Sequence, residues 1–196
     1  MLPDHVLSTE NVPAQFRFPR NIPRRPLVSY EYGGVALNDP SRGLRVKVYK
    51  GEYVNGEIVV SADGVPKTPV LAVPNVADFD FTFDQNMRIA IAYELVGGGS
   101  RFYWYDATIP GFTTLALPDG TVTPRCAIDD NRDYQYGASD IILAYIRAGT
   151  LYFREQRDRY AVEYKLLEQA GPALIQIGMN RLWRFQFQIS TASPGA

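Results

Sequence analysis

Cysteine and histidine each occur once in this 196-residue sequence, as Cys126 and His5. A lone cysteine rules out an intrachain disulfide, so the fold must be held by its own core. A lone histidine near the start deprives the body of the chain of a Cys/His metal centre and of the base of a Ser-His-Asp triad. Charge of one sign is lacking as well, with 20 basic residues against 21 acidic ones. No global field then draws the protein to nucleic acid or to an anionic membrane, and neither is expected as a partner. No apolar run approaches the roughly 18 residues that a spanning helix requires. The opening Leu2-Pro3-Asp4-His5 has no apolar segment of the signal-peptide kind, so a soluble protein is expected. A helical period is also missing: even over 159–169, Tyr160, Val162, Tyr164 and Leu166 alternate as in a strand.

What is present points to β-structure. The hydrophobic share of 46% is that of a globular protein, and 13 Tyr with 10 Phe favour pleated, half-buried faces. Period-two segments such as Leu44-Arg45-Val46-Lys47-Val48-Tyr49 and Arg88-Ile89-Ala90-Ile91-Ala92-Tyr93 recur between turn signals, among them Asn55-Gly56 and Gly97-Gly98-Gly99-Ser100. Residues 1–27 differ. Pro3, Pro13, Pro19, Pro23 and Pro26 fix φ and remove amide donors, which suits an extended segment and not a central strand. Phe16, Phe18 and Ile22 are more apolar than a solvated tail requires, so an arm lying on a neighbouring subunit is the expectation. The expected organisation is an arm at 1–27, an all-β domain at 28–190 and a flexible tail at 191–196.

Within that domain the sequence resembles itself. Ile89-Ala90-Ile91-Ala92-Tyr93 matches Ile141-Ile142-Leu143-Ala144-Tyr145. Glycine links follow both, at Gly97-Gly98-Gly99 and at Ala148-Gly149. The aromatic strands Arg101-Phe102-Tyr103-Trp104-Tyr105-Asp106 and Leu151-Tyr152-Phe153 come next. Upstream, Asp63-Gly64 with Thr68-Pro69 parallels Asp119-Gly120 with Thr123-Pro124. Units are drawn at 44–95, 101–147 and 150–189, of the size of a propeller blade. The expected fold is all-β, made of degenerate four-stranded, propeller-blade-like antiparallel repeats with an extended N-terminal arm; a β-sandwich is the alternative. Three blades are fewer than a closed propeller uses, so exposed edges call for oligomerisation.

Chemistry-bearing clusters are few. Asp78, Asp80 and Asp84, and likewise Asp129, Asp130 and Asp133, carry the oxygen ligands calcium takes, but without its loop spacing. They read as turn residues, and no metal, cofactor or catalytic residue is assigned. Arg154, Arg157, Asp158 and Arg159 lie in the most polar stretch, whose balanced charges suit ion pairs at an interface. Phe16, Phe18, Arg20, Arg24 and Arg25 of the arm are expected to join them there. Tyr103, Trp104 and Tyr105 are the candidates for stacking on a glycan or a partner.

The stretch from Ser139-Asp140-Ile141-Ile142-Leu143-Ala144-Tyr145-Ile146-Arg147 through Gly149-Thr150-Leu151-Tyr152-Phe153-Arg154 to Gln156-Arg157-Asp158-Arg159-Tyr160 resembles virion structural proteins of tailed bacteriophages. The resemblance spans about 76–189 and implies propeller-like repeats in a tail or collar. It carries over no catalytic residue. It implies a non-enzymatic tail, collar or fibre-adaptor subunit, made in the host cytoplasm and incorporated in the virion. The implied partners are copies of itself and other tail, collar or fibre proteins. A carbohydrate-binding module for host-surface recognition is one alternative, and a glycoside hydrolase-like domain is another.

Overall fold

The computed structural model of the chain describes residues 27–33, 47–62, 65–84, 86–129, 140–179 and 185–190. Among them every element is a strand, apart from one 3-10 turn at Gln156–Asp158. The first sheet is β1 (Val28–Gly33), β2 (Lys47–Val54), β3 (Glu57–Ala62) and β4 (Val65–Ala72). The second is β5 (Val76–Phe83), β6 (Ile89–Leu95), β7 (Ser100–Asp106) and β8 (Gly111–Ala116). The third is β9 (Thr121–Ile128), β10 (Ile141–Arg147), β11 (Thr150–Glu155) and β12 (Tyr164–Leu167). A hairpin of β13 (Ala173–Met179) and β14 (Phe185–Ser190) closes the series. Every pairing is antiparallel, and each sheet is an up-and-down meander in chain order.

Local chemistry sets the turns. Asn55 and Gly56 have φ of 53° and 85°, the left-handed pair that a two-residue hairpin between right-twisted strands demands. Ala148 and Gly149 make the same turn at 47° and 71°, where alanine bears a Cβ in a region suited to Asn or Gly. The register shifts in the pairing of β10 with β9 and of β11 with β12, each by a bulge or an irregularity of the ladder.

The sheets stack through their first strands: β1 lies against β5, β5 against β9, and β9 against β13. Each interface between consecutive sheets holds one core. Ile58, Val60, Phe79, Phe81, Phe83, Ile89, Ile91 and Tyr93 fill the space between the first and second sheets. Ala90, Ala92, Phe102, Trp104, Cys126, Ile141, Leu143, Tyr145 and Tyr160 fill the next. Ala127, Ala144, Ile146, Leu151, Leu174 and Ile177 join the third sheet to the hairpin. The inner strands of the second and third sheets are thus covered on both faces, which is why β6 and β10 read as continuous apolar runs. Burying each large side chain contributes about 1.5–3 kcal/mol. Gly51 marks a close approach of the first two sheets: a Cβ there would sit 2.7 Å from Cε1 of Phe81.

An all-β chain with four-stranded antiparallel sheets agrees with the sequence, but the frame of the repeat differs. The sheets span 28–72, 76–116 and 121–167, with the hairpin at 173–190, so the expected unit 44–95 joins parts of two sheets. The links between sheets, at 73–75, 117–120 and 168–172, are as short as the hairpin turns within them, so spacing does not mark the boundary. The matched segments nevertheless hold matched places. Ile89 to Tyr93 and Ile141 to Tyr145 are second strands; Arg101 to Asp106 and Leu151 to Phe153 are third strands. Alternation over 159–169 also stops short of a strand: Arg159, Tyr160 and Gln169 have positive φ, and β12 starts only at Tyr164. The arm at 1–26, Leu44 to Val46, Asp63-Gly64, and the tail at 191–196 lie outside the described residues.

Candidate functional site

The polar stretch after β11 gathers the charged groups of the third sheet. Its 3-10 turn ends at Arg159, whose left-handed backbone (φ 56°) swings the side chain back across to the second sheet. There both Nε and Nη2 of Arg159 donate to Oδ2 of Asp106, at 3.1 and 2.6 Å. The other oxygen of Asp106 accepts from the amide and hydroxyl of Thr108, at 2.8 and 2.7 Å. The Thr108 hydroxyl first, then its amide and Arg159, hold the Asp106 carboxyl down at about 2. The pair spans 53 residues of sequence and fastens the second sheet to the third.

Arg157 stays on the third sheet. Its Nε donates to Asp140 and lies 3.4 Å from Glu155, while Nη2 reaches Asp129 at 3.4 Å. The Asp140 hydrogen bond raises the affinity of the guanidinium for its proton. Arg154 points inward and donates at 2.8 Å to the Tyr145 hydroxyl and at 2.7 Å to the carbonyl of Tyr160. That hydroxyl donates in turn to Glu163, which also accepts from Arg147 at 2.7 Å. Burial, reinforced by Glu163, pushes the Tyr145 phenol up to about 12. Burial opposes ionisation of Glu163, yet the hydrogen bonds from Tyr145 and Arg147 outweigh it and keep its carboxyl below the usual range. Asp158 does not join these arginines; one of its oxygens faces the Tyr164 hydroxyl at 3.4 Å.

The aromatic candidates divide by strand alternation. Trp104 points into the core between the second and third sheets, 5% exposed, with its ring edge-on to Tyr160 at 4.8 Å. That position makes it a packing residue and not a platform for a sugar. Tyr103 and Tyr105 point the other way and flank Phe112 of β8, Tyr103 stacked on it at 4.9 Å and Tyr105 edge-on at 5.4 Å. Arg88 lies 4.1 Å over the Tyr105 ring. A shallow depression of about 450 Å³ runs beside β8, lined by Asp106, Ile109, Phe112, Thr113, Thr114 and Arg159 among others.

The acids considered for calcium serve the backbone and nearby arginines. Asp84 caps the turn before β6 through the amides of Asn86 and Arg88. Asp80 accepts from Ser29 at 2.7 Å and from the Cys126 amide at 3.2 Å, Asp78 pairs with Arg125, and Asp129 accepts the Asp140 amide. Among the described residues no three His, Cys, Asp or Glu side chains are placed to share a metal ion. Asp130, Asp133, Phe16, Phe18, Arg20, Arg24 and Arg25 lie outside them. No family model, curated protein or solved structure matches the chain.

Sequence reasoning named the arginines and missed their acceptors, Asp106, Asp140, Tyr145 and Glu163. Asp140 and Arg157 meet, 17 residues apart, at the open end of the β10–β11 hairpin, whereas the Asp106–Arg159 pair exists only once two sheets have met. As a chemical device the cluster is a set of satisfied ion pairs that pins the 3-10 turn to two sheets. It presents guanidinium faces outward, with Arg157 61% and Arg159 50% exposed at the side chain.

Proposed function

We propose that this chain is a non-enzymatic structural subunit of a tailed-bacteriophage virion, placed in the tail or collar, or adapting a fibre to it. It works by assembling with copies of itself and with other virion proteins. Its sheets act as blade-like units of an open propeller, joined in a row and not closed on themselves; a sandwich arrangement is the alternative. One observation carries this reading. The row ends in a two-stranded hairpin laid on a four-stranded sheet, so the outer strands of that sheet keep an uncovered apolar face. Faces of that kind are completed by another chain or are a liability.

Light scattering on the purified protein tests the reading. A symmetric oligomer, or a complex with another component of the particle, is the expected result. A stable monomer that binds no virion component would overturn it. A second reading, a glycan-binding module, is favoured by the depression beside β8, with Phe112, Thr113, Thr114 and the Asp106–Arg159 pair along it. Saturable binding on a glycan array, lost in Phe112→Ala, would establish that reading instead.

A further inference from the structure

The uncovered face belongs to β11 and β12. In antiparallel pairs, residues directly opposite share a face. Phe153 lies opposite Tyr164, and Leu151 opposite Leu167. Leu151 and Phe153 pack toward the hairpin, so Tyr164 and Leu167 point to the same side. The Phe153 and Tyr164 rings stack there at 5.0 Å. The hairpin covers β9 and β10 but stops two strands short of matching the sheet beneath it. Tyr164 and Leu167 therefore remain 38% and 47% exposed. Among the described residues the last sheet has no third strand beside β14.

We infer that a short strand from the N-terminal arm of a second copy, residues 14–18, pairs with the outer edge of β14 and seats Phe16 and Phe18 on Phe153, Tyr164 and Leu167. This rests on the assembly reading above and names the contact that makes the assembly. The arm has the composition for it. Pro13 and Pro19 bracket Ala14-Gln15-Phe16-Arg17-Phe18, none of which is proline, so each carries the amide N–H that pairing with a strand edge requires. Alternation puts Phe16 and Phe18 on one face of that strand and Arg17 on the other. Residues 11–26 carry four arginines and no acid, and Glu168, exposed just after β12 and paired with Lys165 at 2.6 Å, puts a carboxylate near the apolar face.

Order along the chain favours a second copy over the chain's own arm. The arm precedes β1, in the first sheet, whereas the face lies on the third, with the second sheet packed between. Each copy thus has a donor at one end of the row and an acceptor at the other, the arrangement of a heterologous interface that builds a ring or a filament. A strand of about five residues is short, as an edge strand should be.

Disulfide trapping tests it, because native Cys126 is buried and does not compete. Phe18→Cys and Leu167→Cys are made in separate chains, mixed and mildly oxidised. The expected result is a covalent dimer formed at least tenfold more than between Phe18→Cys and a Val96→Cys control on a distant loop. Deletion of 1–26 is expected to return the protein to a monomer with an unchanged circular-dichroism spectrum. Trapping no better than the control, in an oligomer that light scattering still detects, overturns the inference and leaves the assembly reading standing. An intrachain disulfide in a monomeric double variant overturns the choice of a second copy. A full chain that is monomeric throughout sinks both.

Discussion

The guanidinium of Arg125 meets the carboxylate of Asp78 at 2.7 Å, tying the first strand of the third sheet to that of the second. The same guanidinium donates at 3.0 Å to the carbonyl of Ile175 on β13. One buried side chain therefore bridges three consecutive first strands, at the line where the sheets stack. Removing one partner of a buried pair leaves the other charge poorly compensated. Arg125→Met is expected to lower the unfolding free energy by about 3 kcal/mol, measured by chemical denaturation. Asp78→Asn in the same chain should restore part of the loss. An Arg125→Met protein as stable as the parent would show that the bridge contributes nothing.

Gly51 permits the first two sheets to close. Its missing side chain is replaced by the rim of Phe81, so Gly51→Ala should destabilise by about 1–3 kcal/mol through overpacking. Phe81→Leu added to it should recover much of that difference. Additive losses from the two substitutions would place the strain elsewhere.

Ala148 occupies the first position of a turn that Asn55 fills in the first sheet. Ala148→Asn is expected to stabilise by about 0.5–1 kcal/mol, because asparagine tolerates the left-handed region better. Thermal unfolding would read the gain as a rise of a few degrees, and no rise would count against the strain.

Tyr145 and Asp106 set opposite ends of the pH profile. The Tyr145 phenol, raised from 10.0 to about 12, adds stability that is complete below pH 10 and is lost as pH climbs through 12. Asp106, lowered from 3.8 to about 2, adds stability that is complete above pH 4 and is lost as pH falls through 2. Tyr145→Phe should remove the alkaline decline specific to this group, and Thr108→Val should move the Asp106 titration back toward 3.8 when followed by nuclear magnetic resonance. An Asp106 titration near 3.8 in the parent protein would overturn the assignment.

Much of the fold was legible because it is written in short-range patterns. The apolar run Ile58-Val59-Val60, the Asn55-Gly56 turn and the run Ile89 to Tyr93 each report a strand without reference to distant residues. The likeness of β6 to β10 also survives, since each is the second strand of its sheet and is itself buried on both sides. The site was less legible. Trp104 and Tyr103 are neighbours of similar chemistry, and strand alternation alone sends one into the core and the other to the opposite face. Which of the two faces is covered depends on the next sheet, which a local pattern does not encode.

By itself the sequence determined that the chain folds as antiparallel strands without disulfide support, because side-chain period, turn residues and a single cysteine are properties of neighbouring positions. Tertiary structure alone decided where one sheet ends and the next begins, that Arg159 reaches Asp106, and that β12 keeps an apolar side uncovered. Those outcomes arise from contacts between residues some fifty positions apart, such as the pair 53 apart at Asp106 and Arg159. The cost of closing such loops grows only slowly with length, so spacing along the chain selects no partner, and packing of whole faces makes the choice.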